Sequence, residues 1–94
     1  MNLIYGDNEI QLKNENDEVV AEVLFPNSTD NVVNITRTFV DPSLRGKGVA
    51  NKLLEAVAIK LREENKKAYP TCSYAVKWFE RHNQYSDVYS DKPY

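Results

Sequence analysis

The sequence predicts a mixed α/β (α+β) fold: antiparallel strands first, then a strand–loop–helix–strand crossover, then a closing helix. Three observations carry this. Up to residue 40 the apolar residues alternate with polar ones or run in β-branched blocks, as in strands. From residue 49 the apolar spacing becomes helical, with Val49, Leu53, Val57 and Leu61 four apart. Between the two stands a compact turn, Asp41-Pro42-Ser43-Leu44-Arg45-Gly46-Lys47-Gly48, that holds two of the three glycines.

The length of 94 residues predicts one domain, spanning residues 1–94. The chain is 41% hydrophobic and 28% charged, a composition that can fold around a core. Its net charge of −2 argues against a general nucleic-acid or membrane binder, so any anion site must be local. One cysteine excludes an internal disulfide, and a single histidine leaves no zinc-type ligand set. No basic-then-apolar leader is visible at the start, and no apolar run is long enough to span a bilayer. The expectation is a cytoplasmic protein with no metal.

The elements follow in order. Residues 8–13 alternate, with Ile10 and Leu12 on one face, and predict a half-buried strand. Residues 14–17 are turn formers, and residues 19–25 predict a second strand that closes an antiparallel hairpin. Pro26 and the polar residues after it break the hairpin. Residues 32–40, nearly all β-branched or aromatic, predict one long central strand. Asp41-Pro42 stops it, because proline gives no N–H to the ladder. A helix is expected over about residues 48–65, its apolar stripe widened by Ala50, Leu54 and Ala58. Residues 66–70 predict a brief strand returning parallel to the third, the product of a right-handed crossover. Thr71 or Ser73 is positioned to cap a second helix over about 74–82, with Ala75, Trp78 and Phe79 inward. Residues 83–94 are expected to be irregular, their tyrosines at 85, 89 and 94 forming a lid or a dimer surface.

The glycine turn is the first candidate site. A strand feeding a glycine turn and a helix start aims backbone N–H groups at one point, and Arg45 and Lys47 add positive charge. The pattern is not a Walker loop, since no Lys-Ser/Thr pair follows the last glycine. It is not the dinucleotide fingerprint either, which needs a third small residue and a later acid. Local pattern alone leaves two readings, a phosphate cradle and an ordinary glycine-containing loop. Cys72, at a second helix start and close in sequence to Lys66 and Lys67, is the second candidate. A lone cysteine can equally be a small core residue.

Three stretches resemble a known family. Arg45-Gly46-Lys47-Gly48-Val49-Ala50 is similar to the Arg/Gln-x-x-Gly-x-Gly/Ala signature of the GNAT N-acetyltransferases. Thr38-Phe39-Val40-Asp41-Pro42 ahead of it and Pro70-Thr71-Cys72-Ser73-Tyr74 after it resemble the small single-domain GNAT-like group. The resemblance covers nearly the whole chain. It implies the GNAT acyl-CoA N-acyltransferase fold and binding of acetyl-CoA. The implied cofactor-binding residues are Phe39, Val40, Arg45, Gly46, Lys47, Gly48, Val49, Ala50 and Ser73. The turn and helix would hold the pyrophosphate, and strand residues 36–40 the pantetheine arm.

The resemblance also implies that Cys72 faces the thioester end, either as the nucleophile that takes the acetyl group or as a wall of the acyl site. One departure stands out: Arg37 occupies the place where related members tend to carry a histidine base, and arginine stays protonated. Arg37 would then act on Cys72 or on an anionic acceptor, or simply sit at the solvent edge of its strand. His82, the only histidine, reads first as a helix-end partner. The implied activity is acetyl transfer from acetyl-CoA to an unidentified amine, with a CoA-binding or regulatory module as the alternative. A third reading makes the glycine loop merely structural and the tyrosine-rich tail a protein-interaction surface. So small a chain would bind its acceptor on an open surface or in a site completed by a second copy, as a homodimer.

Overall fold

The computed structural model describes residues 2–94. Strands β1 (Leu3–Tyr5), β2 (Glu9–Lys13), β3 (Val19–Leu24) and β5 (Arg37–Val40) form one antiparallel sheet in the order β1-β2-β3-β5. Strands β4 (Val32–Ile35) and β6 (Lys67–Pro70) form a second, parallel pair. Helix α1 (Val49–Glu63) connects β5 to β6, and helix α2 (Ser73–Arg81) follows β6. The alternation of β2 and β3 buries Ile10, Leu12, Ala21 and Val23 on the face that meets α1. Helix α1 returns Val49, Leu53, Leu54, Val57 and Leu61 to the same core. Ala75, Trp78 and Phe79 of α2 complete it, as their spacing predicts.

The expected single strand over 32–40 is two strands in two sheets. The chain changes partners at Thr36. Up to Ile35 it pairs with β6, ending at Ile35 opposite Pro70. From Arg37 it pairs with β3, Leu24 opposite Arg37 through Ala21 opposite Val40. The ladder cannot continue in one register because β3 ends before Pro26, which has no N–H to give. Thr36 N–H donates to the Leu24 carbonyl at 3.1 Å, while the Ile35 carbonyl accepts from Thr71 and Cys72 N–H at 3.0 and 3.1 Å. The two sheets therefore diverge at Thr36, and β5 is left as the edge of its sheet.

Three further expectations are corrected. Residues 3–5, assigned to no element from the sequence, pair with β2. Neither Thr71 nor Ser73 caps α2: Cys72 does, its sulfur accepting from Ala75 N–H at 3.4 Å. The residues after His82 are not irregular throughout. Asn83–Val88 turns as a 3-10 helix and buries Tyr85 and Val88. Arg62 clamps this segment to α1, with Nε 2.8 Å and Nη2 2.7 Å from the two Asp87 carboxylate oxygens. The Asp87 carboxyl is held below its ordinary value by that hydrogen bond. The Tyr85 ring stacks on Trp78 at 5.3 Å, so Tyr85 is core and not lid. The chain then runs beside β6, Tyr89 bridging to Ala68 in parallel and Ser90 N–H donating to the Ala68 carbonyl at 2.8 Å.

Candidate functional site

Where the sheets part, β5, the glycine turn and the starts of both helices enclose a cleft of about 490 Å³. Thr38 and Val40 line it from β5, and Leu44, Arg45, Gly46 and Gly48 from the turn. Val49 and Ala50 line it from α1, and Tyr74 from α2. The turn is built locally. Asp41 accepts from Ser43 N–H at 3.0 Å and from the Ser43 hydroxyl, which starts a 3-10 turn over Pro42–Leu44. The Ser43 hydroxyl, then the Ser43 amide and the Arg45 charge, hold the Asp41 carboxyl below its ordinary value. Gly46 and Gly48 then adopt φ of 81° and 73°, a left-handed backbone that L side chains rarely take. A Cβ at either glycine would meet nothing within 4 Å, so both backbones are bare toward open space.

Helix α1 starts without help. Gly48 is its N-cap, and no side chain bonds its first amides. The N–H groups of Gly48, Val49 and Ala50 have no intrahelical acceptor at that position. This donor set, with Arg45 beside it, suits an anion, and a pyrophosphate fits its chemistry.

Of the sequence-predicted residues, Val40, Arg45, Gly46, Gly48, Val49 and Ala50 are brought together around this cleft. Lys47, Phe39, Cys72 and Ser73 are not among its lining residues. Phe39 stands on the other face of β5, where the Arg37 guanidinium lies 5.1 Å from its ring centre. Arg37 on that face pairs with Glu22 at 3.1 Å. It is turned away from Cys72, which Thr38 touches from the cleft side. Cys72 is half-buried, with its sulfur 3.4 Å from the Thr38 hydroxyl. Lys66 does not serve Cys72; it lies before β6, 3.8 Å from Glu64. His82 sits past the far end of α2, about 15 Å of helix rise from Cys72. Its Nδ1 is 2.7 Å from the Trp78 carbonyl and its ring stacks on Trp78 at 4.2 Å.

Leu44 lines the cleft but is not among the sequence-based candidate residues, and Thr38 is expected only within the strand 36–40, its side chain not singled out. Strand alternation could have found Thr38, since it shares a face with Val40. Among the described residues no group of three or more His, Cys, Asp or Glu is placed to hold a metal ion. Among the described residues no helix is long and apolar enough to cross a membrane.

The fold, with its sheets parting beside an uncapped, glycine-led helix, is that of the GCN5-related acetyltransferases. The family described as GCN5-related N-acetyl-transferase matches residues 9–88. The chain belongs to that family. A GCN5-like protein of Staphylococcus aureus, solved in solution by NMR, is similar at 36% identity over 95% of this chain and 87% of its own, with a TM-score of 0.79. Rv2747 of Mycobacterium tuberculosis, crystallised with CoA and NLQ, shares the fold at 16% identity and a TM-score of 0.63. An acetyltransferase of Bacillus cereus shares it at 21% identity and a TM-score of 0.65. The alignments cover 81% and 79% of this chain but only 47% and 54% of those two chains, so it spans about half their length. No curated protein sequence gives a significant match.

Proposed function

We propose that this protein binds acetyl-CoA in the cleft between β5 and the two helix starts and transfers the acetyl group to an amine. The observation that carries the reading is the start of α1: bare left-handed glycines, no side-chain cap, and a cleft in front of it. The amides of Gly48, Val49 and Ala50 would take the pyrophosphate, and Arg45 would add its charge. Lys47, on the same turn, would add to the local positive potential. The unpaired edge of β5, at Thr38 and Val40, would receive the extended pantetheine arm as a strand receives a partner. Phe39 faces away from that edge on both counts, its ring on the other face of β5 and its backbone opposite Glu22 of β3. CoA-bound Rv2747, which shares the fold, is consistent with this cofactor.

Acetyl-CoA, when bound, supplies an acyl group activated as a thioester. The chain's task is then to hold that end of the cofactor near an incoming amine, and holding alone gives much of the rate. Thr38 and Tyr74 border the acyl end, and Ala75 N–H and the Thr38 hydroxyl fix the position of the Cys72 sulfur. Cys72 is the candidate acyl acceptor within the protein, with Ser73 beside it at the start of α2. A second reading, a CoA-binding module without transferase activity, is favoured by one specific observation. The two obvious helpers are committed elsewhere, Arg37 to Glu22 and His82 to the Trp78 carbonyl.

Isothermal titration with acetyl-CoA tests the binding. A saturable one-site isotherm is expected, and the absence of binding across temperatures overturns the proposal. Mass spectrometry after incubation with acetyl-CoA and an amine panel then divides the two readings. An acetylated amine establishes transfer, and an acetyl adduct on the protein that disappears in Cys72→Ala assigns the route through sulfur. Binding with neither product leaves the module.

A further inference from the structure

The position at which α1 would ordinarily close its own N-terminus is occupied by a side chain that points elsewhere. With Gly48 as N-cap, Asn51 is the third helical residue. A Glu or Gln side chain there commonly reaches back to the backbone N–H of the N-cap residue, and Asn51 carries the same kind of acceptor on a shorter stem. Asn51 does not reach back. Its Oδ1 accepts from the indole Nε1–H of Trp78 at 2.7 Å. The orientation of the carboxamide follows from the chemistry, since indole nitrogen is a donor only and must face the oxygen. Trp78 is in turn fixed on every side. It is buried, stacked on His82 and Tyr85, and edge-on to Phe79 at 5.1 Å.

We infer that Asn51 and Trp78 are positioning residues for the anion site. The indole claims the one acceptor that could fold back over the Gly48 amide, and so keeps the start of α1 open to a ligand. The same bond ties α1 to α2 behind the cleft. The inference rests on the reading of that helix start as the CoA pyrophosphate site. It adds that the vacancy of the cap is maintained from α2, by a group that does not touch the ligand.

Removing the donor should free Asn51 to cap its own helix and compete with the ligand. Trp78→Phe is expected to weaken CoA binding about fivefold, the size of one net hydrogen bond. Removing the competing acceptor as well, in Trp78→Phe/Asn51→Ala, should bring the affinity back to within about twofold of the wild type. A purely structural role predicts the opposite order, because two core-facing losses weaken a fold more than one. Thermal melts of each variant accompany the titrations and confirm that the protein titrated is folded. If Trp78→Phe does not fold, Asn51→Ala alone decides. Retained CoA affinity at a lowered Tm supports the inference, and a loss beyond fivefold overturns it by making Asn51 a direct contact.

If the wild type binds no CoA, the reading of the site fails. If the wild type binds and Trp78→Phe binds equally well, or the double variant shows no recovery, only the positioning role falls.

Discussion

Helix α2 begins on Cys72 in extended backbone, φ −74° and ψ 137°, with its sulfur accepting from Ala75 N–H; helix α1 begins on Gly48 at φ 73° and ψ 17°, with no side chain at all. The first start has acceptors from the protein itself, the sulfur for Ala75 N–H and the Ile35 carbonyl for Cys72 N–H. The second leaves several donors pointing at a cleft, next to Arg45. Both carry the partial positive charge of a helix N-terminus, so the dipole alone does not distinguish them. What distinguishes them is whether the local sequence supplies an acceptor. Where it does, the helix start is structure; where it withholds one, the missing acceptor is the ligand's to provide.

The largest effect is therefore expected where an acceptor is forced onto the open start. Gly48→Glu places a carboxylate against the position meant for pyrophosphate, and should weaken CoA binding by about a hundredfold. The substitution also strains the backbone, which costs roughly 1–2 kcal/mol at a left-handed position. Gly48→Ala carries the same strain without the charge, and its Cβ meets nothing within 4 Å. The affinity gap between the two variants, read by calorimetry, isolates the anion competition. Equal affinities for CoA would remove the electrostatic account of the site.

The contrast between the helix starts was half legible in the sequence. Gly46, Gly48 and the four-residue spacing of Val49, Leu53, Val57 and Leu61 announce the turn and α1, because both signals are local. The strands β2 and β3 are equally plain from the alternation of Ile10, Leu12, Ala21 and Val23. The capping of α2 by Cys72 is not, since a thiol is a weak acceptor and Thr71 and Ser73 flank it with better ones. Thr71 is spent elsewhere, donating to Asn34 Oδ1 at 2.8 Å, a partner 37 residues away. The break at Thr36 left no local mark either. Nearly all of residues 32–40 favour strand, and the cause of the break is where a partner strand ends. Tyr85 and Val88 were missed for the same reason: Arg62, 25 residues from Asp87, is what folds them back. Within the site, Thr38 was recoverable from its alternation with Val40, whereas Leu44 depends on the turn that Asp41 caps.

A middle-sized effect is expected at the satisfied start. Cys72→Ala removes the cap and should destabilise the protein by about 0.5 kcal/mol, the low end for a lost cap because sulfur accepts weakly. Cys72→Ser supplies a stronger acceptor in the same place and should stabilise by a similar amount. The two variants should therefore bracket the wild type in Tm by about 2–4 °C on either side. Neither should alter CoA affinity as Gly48→Glu does, because neither puts a charge into the cleft. A Tm for Cys72→Ser below that of Cys72→Ala would show that the thiol is valued there for packing against Thr38 and not for its cap.

The smallest effect concerns Asp41, seven residues before Gly48, which gives the 3-10 turn the side-chain cap that α1 lacks. Its carboxylate caps the 3-10 turn through Ser43, and that bonding holds its folded pKa below the ordinary 3.8. The sign of the linkage follows. A carboxyl with a depressed folded pKa adds stability that is fully present above 3.8 and is lost as pH falls through the lower folded value. Asp41→Asn keeps an acceptor for the Ser43 amide but has no charge to titrate. The Tm difference between wild type and Asp41→Asn should be constant near neutrality and close in acid, below 3.8. Asp87 and Glu64 also titrate below their ordinary values, through Arg62 and Lys60 respectively, but they are common to both proteins and cancel in the difference. A difference that persists unchanged into acid would mean that Asp41 shapes the turn by geometry alone, and that the approach to the open helix start does not depend on a charge.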